Sequence, residues 1–512
     1  MKSRTIFLFM LLWALHDLWA QQSTPSLSLE VQFAPEVQAA VSPRGRLFIF
    51  LNQNPYAEPR EQVWPSPGNY IFAKNFSNWQ PAQSQHIQSS QGWSKTPAWT
   101  LEQVPPGTYY LQLLWDQDTL ESRIDAPGNL YSEKQKVVID KALKLQLRID
   151  QQIPPRKVVS HPLVKAVYFR SDTLSKWWKK DMHLRATVLL PRDYEPGRAY
   201  PIRYNVAGYG GRYTRVNRLV NNTDFMNWWQ SEEAPELVNV FLDGEGPFGD
   251  SYQMDSENSG PYGYALIHEL IPYIEEQYRG TQDAYTRFTD GCSTGGWVSL
   301  ALQLYYPQAF NGVFSYSPDA IEFSNYQLIN IYKDENAYVN EFGYERPVMR
   351  DISGEPMVSL RDFIQYENVL GASNTYLNSG GQFSAHTALY SPKGEGDLPR
   401  PLFDPQSGQI DHEVAEHWKK YDMKLYASEH WAELGPQIQG KIYIWMGDMD
   451  HFYLNPATRE FERFLRSTQD PVSDAHIEFS AMEGHCSAYS HRRVLEQIGA
   501  RLEELQGEKA KR

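Results

Sequence analysis

Gly291-Cys292-Ser293-Thr294-Gly295 is the stretch on which the fold turns. A G-x-S-x-G pentapeptide sets its serine on a sharp strand-to-helix turn, so it predicts a short buried strand before the serine and a helix after it. Tyr285-Thr286-Arg287-Phe288-Thr289 is the strand candidate, and the apolar run Gly296-Trp297-Val298-Ser299-Leu300-Ala301-Leu302-Gln303-Leu304 is the helix candidate. A second segment, Glu483-Gly484-His485-Cys486, shares an odd feature with the first, a chemically capable residue beside a cysteine. Cys292 and Cys486 are the only two cysteines in the chain. If Ser293 and His485 meet as nucleophile and base, their neighbours come within disulfide reach, a Cα separation of roughly 4.4–6.8 Å.

A serine nucleophile needs a base to take its proton, an acid to orient that base, and donors for the oxyanion. In this architecture the chain order is Ser, then Asp or Glu, then His. Ser293, Asp450 and His485 obey it. Asp450 closes Gly447-Asp448-Met449-Asp450, directly after the strand candidate Lys441-Ile442-Tyr443-Ile444-Trp445-Met446, and so lies on a loop at a strand's carboxyl end. Asp448 in the same loop and Asp319 in Ser317-Pro318-Asp319 are the rival acids. His485 follows a short strand and precedes the last helix, where the base belongs. The backbone N–H of Thr294 is expected as one oxyanion donor. The N–H of Tyr209, in the turn Ala207-Gly208-Tyr209-Gly210-Gly211, is expected as the other.

The first residues speak to location. Lys2 and Arg4 precede the apolar run from Ile6 to Leu15, and Ala20 offers a small residue for cleavage, which reads as a secretory signal peptide over residues 1–20. His16 and Asp17 interrupt the run before the ~20 apolar residues a membrane span needs, so no membrane anchor is expected. A secreted or periplasmic location also permits a disulfide. The net charge of −14 disfavours nucleic acid as a partner.

With 512 residues, two or three domains are expected. From 26 to 152 the pattern is β: Leu27, Leu29, Val31 and Phe33 alternate with polar residues, Arg46 to Leu51 is a buried-strand candidate, Thr108 to Trp115 follows a Pro-Pro-Gly turn, and Leu143, Leu145, Leu147 and Ile149 alternate again. This predicts a smaller all-β domain, an immunoglobulin-like β-sandwich, with residues 52–97 as long loops. Residues 151–155 read as a linker. From 156 to 507 strands and helices alternate, which predicts an α/β fold. A helix after Pro261 should be kinked or broken at Pro272. The stretch from about 318 to 440 is far longer than the usual ~4–6-residue connection, and is expected to be a cap insertion over the strand ends.

His412-Glu413-Val414-Ala415-Glu416-His417 is superficially like a zinc-protease helix, but its histidines are five apart, off a shared helical face. No other Cys/His cluster has ligand spacing, so no metal site is predicted.

Tyr200-Pro201-Ile202 through Gly211, Asp243-Gly244-Glu245-Gly246, the serine motif extended to Trp297, Gly447 to Asp450, and Gly484-His485 together resemble the putative esterase family of the α/β-hydrolase superfamily. That family includes enterochelin esterases, feruloyl and acetylxylan esterases, S-formylglutathione hydrolases and mycolyltransferases. The resemblance runs from about 180 to 500. It implies an α/β-hydrolase fold, a serine triad without cofactor, and hydrolysis of carboxylic esters through an acyl-enzyme on Ser293, the substrate being a small or polysaccharide-linked ester. Relatives often carry His-Gly where this chain has Ala207-Gly208. The Cys-Ser and His-Cys pairing is similar to that of tannases and fungal feruloyl esterases, where a disulfide joins the neighbours of the catalytic serine and histidine. An acyltransferase on the same triad, and a non-catalytic carbohydrate-binding protein on a hydrolase scaffold, stay open as alternatives. A prolyl-oligopeptidase arrangement is excluded, because an N-terminal region of about 125 residues is too short for a propeller of several four-stranded blades.

Overall fold

The computed structural model describes residues 26–511, so the signal peptide expected over 1–20 lies outside the described residues. The chain divides into two compact units, one ending at Asp118 and resuming over Asp125–Pro154, the other made of Thr119–Ile124 and everything from Pro155 onward.

In the first unit, Leu27–Phe33 buries alternate side chains as its sequence alternation demands. It lies between Gln85–Ile87, antiparallel, and Leu143–Ile149, parallel. A second sheet runs through Asn69–Phe76, Gly45–Asn52 and Gly107–Asp116. Val31 and Phe33 from one sheet and Leu47, Ile49, Leu113 and Trp115 from the other share a single apolar core. The expectation of long loops over 52–97 is corrected by Asn69–Phe76, which pairs along the whole of Gly45–Asn52. Its apolar centre, Tyr70-Ile71-Phe72-Ala73, is short and flanked by Gln-, Ser- and Pro-rich chain, so composition conceals it.

The second unit is built on a mixed sheet: β1 (Val164–Ser171), β2 (Met182–Leu189), β3 (Ile202–Val206), β4 (Val238–Leu242), β5 (Arg287–Cys292), β6 (Val313–Tyr316), β7 (Ile442–Gly447) and β8 (His476–Ser480), in the spatial order β1-β2-β4-β3-β5-β6-β7-β8. β2 is antiparallel to both its neighbours, and the strands from β4 to β8 run parallel. Parallel strands buried on both faces read as apolar runs, and β3 and β4 bury all of their residues. β5 starts two residues later than expected, because Asp283 accepts from the Tyr285 N–H and caps a 3₁₀ turn over Ala284–Thr286.

The helix after Pro261 is neither broken nor simply kinked. Tyr262–Ala265 and Ile271–Gln277 are α-helical, and between them Leu266–Leu270 forms a π turn just ahead of Pro272. A single π turn absorbs the missing proline donor without ending the helix.

Between β6 and β7 the chain forms a hairpin of Pro347–Arg350 with Pro356–Ser359 and helices that include Leu360–Leu370, Gln382–Tyr390, His412–Trp418 and Met423–Ile438. Among the described residues, no helix is long and apolar enough to cross a membrane.

Candidate active site

The serine motif is held by steric necessity. A Cβ on Gly291 would fall 2.4 Å from the Gly295 carbonyl carbon, and one on Gly295 would fall 2.3 Å from the Val206 carbonyl oxygen, so neither position admits a side chain. Ser293 adopts φ 62° and ψ −128° between β5 and helix α1 (Thr294–Tyr305). Non-glycine residues avoid that region, and backbone held there carries strain of order 1–3 kcal/mol. The turn after β3 lies against this elbow: a Cβ on Gly208 would sit 3.3 Å from the Cys292 carbonyl and 3.7 Å from the Ser293 Cβ. Its Gly211 N–H donates to the Gly208 carbonyl at 2.9 Å, and Gly210 takes φ 73°, the positive value a type II turn requires. Tyr209 occupies the second position of this turn, and its hydroxyl donates to the Gly380 carbonyl. Thr294 opens α1, where helix N–H groups have no partner within the helix.

Asp450 follows β7 and is fully buried. Its Oδ1 accepts from the N–H groups of Phe452 at 2.9 Å and Leu454 at 3.3 Å, and its Oδ2 lies 2.6 Å from His485 Nδ1. Of the rival acids, Asp448 pairs instead with Arg459. His485 lies on the loop after β8, with the Phe452 ring edge-on at 4.9 Å and its backbone N–H 3.4 Å from His451 Nδ1. Burial pushes the imidazole pKa down, but the charge and hydrogen bond of Asp450, aided by the charge of Asp319, carry it above the ordinary histidine value.

Cys292 and Cys486 form a disulfide with Cα atoms 6.0 Å apart, inside the range the sequence required. The histidine loop is held at further points. The Cys486 N–H donates to Ser317 Oγ at 3.1 Å, and the Tyr489 hydroxyl donates to Asp290 Oδ2 on β5 at 2.9 Å. Asp290 is itself gripped by both Nε and Nη2 of the buried Arg203, each at 2.6 Å. A buried charge pair of this kind survives only when fully hydrogen-bonded, and here it links β3, β5 and the residues after His485.

Asp319, the third acid candidate, lies against Ser293. Among the described residues the Ser293 hydroxyl makes one hydrogen bond, to Asp319 Oδ1 at 3.4 Å. Asp319 Oδ2 accepts from the Tyr252 hydroxyl at 2.8 Å, Thr294 Oγ1 at 2.9 Å and Gln382 Nε2 at 3.3 Å, with His386 Nε2 at 3.5 Å. Burial alone would raise this carboxyl, but hydrogen bonds from His386, Tyr252 and Thr294 and the pull of His386 hold it below its ordinary value.

Arg350 was not legible in sequence. It reaches from the Pro347–Arg350 hairpin strand to donate through Nε to the Asp450 carbonyl at 2.9 Å and through Nη2 to the Asp448 carbonyl at 3.2 Å. Its backbone N–H also donates to the His451 carbonyl at 2.8 Å. No local pattern marks an arginine whose partners lie a hundred residues away. The histidines of 412–417 lie on the helix His412–Trp418, with His417 between the Tyr390 carbonyl and Glu257, each at 2.8 Å.

Comparison with known proteins adds the family. The model of the family described as "Putative esterase" matches residues 175–497, more than half of the chain. The uncharacterised protein YjcH of Bacillus subtilis is 26% identical over 145 residues, 28% of this chain and 60% of that protein. Esterase Rv1288 of Mycobacterium tuberculosis is 28% identical over 156 residues, 30% of this chain and 32% of that protein. The chain thus spans less than two thirds of these relatives. Among solved structures, a ferulic acid esterase covers 66% of this chain and 98% of its own at 15% identity and a TM-score of 0.42. An S-formylglutathione hydrolase from Agrobacterium tumefaciens covers 66% and 93% at 14% identity and a TM-score of 0.37. The matched span takes in the elbow, the acid loop and the histidine loop alike, and on it this chain is a member of the Putative esterase family.

Proposed function

We propose that this protein is an exported serine esterase that hydrolyses carboxylic esters through an acyl-enzyme on Ser293. His485 takes the Ser293 proton as Oγ attacks the ester carbonyl, and Asp450 holds the imidazole by Nδ1 so that Nε2 is the basic nitrogen. The N–H groups of Thr294 and Tyr209 receive the oxyanion. The imidazolium then protonates the leaving alcohol, and water, deprotonated by the same histidine, releases the acid. The observation that carries this reading is the 2.6 Å contact between Asp450 and His485, on a loop tied by a disulfide to the residue before Ser293. Residues 318–440 act as a cap shaping the ester pocket, and the two-sheet unit before them is an immunoglobulin-like β-sandwich in our reading. Export rests on the signal-peptide pattern of residues 1–20 and on the disulfide, which an oxidising compartment sustains.

Hydrolysis of p-nitrophenyl acetate tests the proposal. Ser293→Ala should lower kcat by at least about 10³-fold with the fold intact by circular dichroism. Equal rates in the two proteins would refute it.

A further inference from the structure

A buried carboxylate beside a serine nucleophile is electrostatically awkward, and that awkwardness has a chemical reading. Asp319 is 3% exposed and faces Ser293 Oγ at 3.4 Å, while Ser293 itself is half-buried. Attack on an ester moves the serine proton away from Asp319 toward His485 and leaves negative charge on the carbonyl oxygen. The proton's charge passes to the imidazole, while the oxyanion puts new negative charge near that of Asp319, a carboxylate buried where screening is weak. The donors on Asp319 from Tyr252, Thr294 and Gln382 are neutral and leave its net charge in place. Among the described residues neither Asp319 nor Asp450 is ion-paired with a lysine or arginine; the side chains against them are the imidazoles of His386 at 3.5 Å and His485 at 2.6 Å. Near the oxyanion turn, Arg212 is engaged by Asp243, Glu245 and Glu121, and Arg123, 5.9 Å from the Tyr209 ring, lies in the field of the buried Glu245 and Asp250.

We infer that Asp319 is a specificity-determining residue, which makes this site selective for esters carrying a positive charge close to the scissile carbonyl and unfavourable to acyl groups carrying a negative one. The inference rests on the esterase reading above and names its substrate class. A substrate cation offsets the charge of Asp319 as the oxyanion forms, and gives the carboxylate a partner when the serine hydroxyl leaves it. A neutral ester of the same shape supplies neither. The carboxylate product is repelled by the same charge, which favours its departure.

Acetylcholine and its carbon isostere 3,3-dimethylbutyl acetate differ in charge and scarcely in shape, so their hydrolysis by the full chain, followed by pH-stat, reads the effect directly. The expected kcat/KM ratio is at least about tenfold in favour of the cation, equivalent to about 1.4 kcal/mol. Asp319→Asn should bring the ratio close to one, whatever it does to the absolute rates. A second pair keeps the test independent of the variant: wild type should cleave p-nitrophenyl hemisuccinate more slowly than p-nitrophenyl butyrate. A wild-type ratio near one for the cationic pair, or a ratio unchanged in Asp319→Asn, overturns the inference. Failure of the esterase reading looks different, since Ser293→Ala would then still hydrolyse both esters.

Discussion

Ser293 is held at φ 62° beside glycines that cannot carry a side chain, and the residues of the candidate site differ in how visible they were. Ser293, Asp450 and His485 could be read because each sits at a motif or at a strand's end. Among the acids, Asp450 is favoured in sequence by its place in Gly447-Asp448-Met449-Asp450, but the contacts that separate the three, Asp450 with His485, Asp448 with Arg459 and Asp319 with Ser293, join distant segments. The electrostatics give a pH test. In the proposed mechanism His485 is a base only when neutral, and Asp450, then Asp319, raise its pKa, with His451 the other titratable group against its loop. The acid limb of kcat/KM should therefore lie above about 6.5, the unperturbed histidine value. Asp450→Asn should move that limb downward and lower kcat by about 10³–10⁴-fold. A wild-type limb at or below 6.5 would contradict the assigned pair.

Among the elements, the histidine loop and the Pro347–Arg350 hairpin strand determine whether the site is preorganised. The disulfide closes a sequence separation of 194 residues, for which the chain-entropy model gives roughly 5 kcal/mol. Reduction should lower turnover before it unfolds the protein, since the bond fixes the base loop against the elbow. Full activity in a Cys292→Ser/Cys486→Ser double variant would reject that role. Arg350 does for the acid loop what the disulfide does for the base loop. Arg350→Ala should reduce kcat by about 10–100-fold with KM nearly unchanged, and Arg350→Lys should recover only part of it, because a lysine lacks the guanidinium's fork of donors. Unchanged kcat in Arg350→Ala would show that the loop holds itself. β5 and α1 were legible because motif and apolar run agree there. Asn69–Phe76 and Val164–Ser171 were not, the first hidden by its polar surroundings and the second by burying few of its side chains.

At the scale of the whole molecule, the chain divides after Pro154, and Thr119–Ile124 goes with the later unit. The assignment of Thr119–Ile124 to the second unit was invisible in sequence, because it depends on Glu121 meeting Arg156 at 2.9 Å and Arg212 at 3.0 Å, partners far along the chain. A fragment of residues 155–512 lacks that carboxylate. It should be less stable than the same unit in the full chain by on the order of 1–3 kcal/mol, the worth of hydrogen bonds to charged groups, measured by urea denaturation. Equal stability would show that the segment contributes nothing to the second unit.

The central claim is that Ser293 is the nucleophile of a working triad. Reaction of the full-length protein with a fluorophosphonate, followed by peptide mass spectrometry, tests it most directly. The expected result is a single phosphonylated residue, Ser293, with labelling abolished in His485→Ala. Label on any other serine, or labelling of Ser293 undiminished without His485, would contradict it.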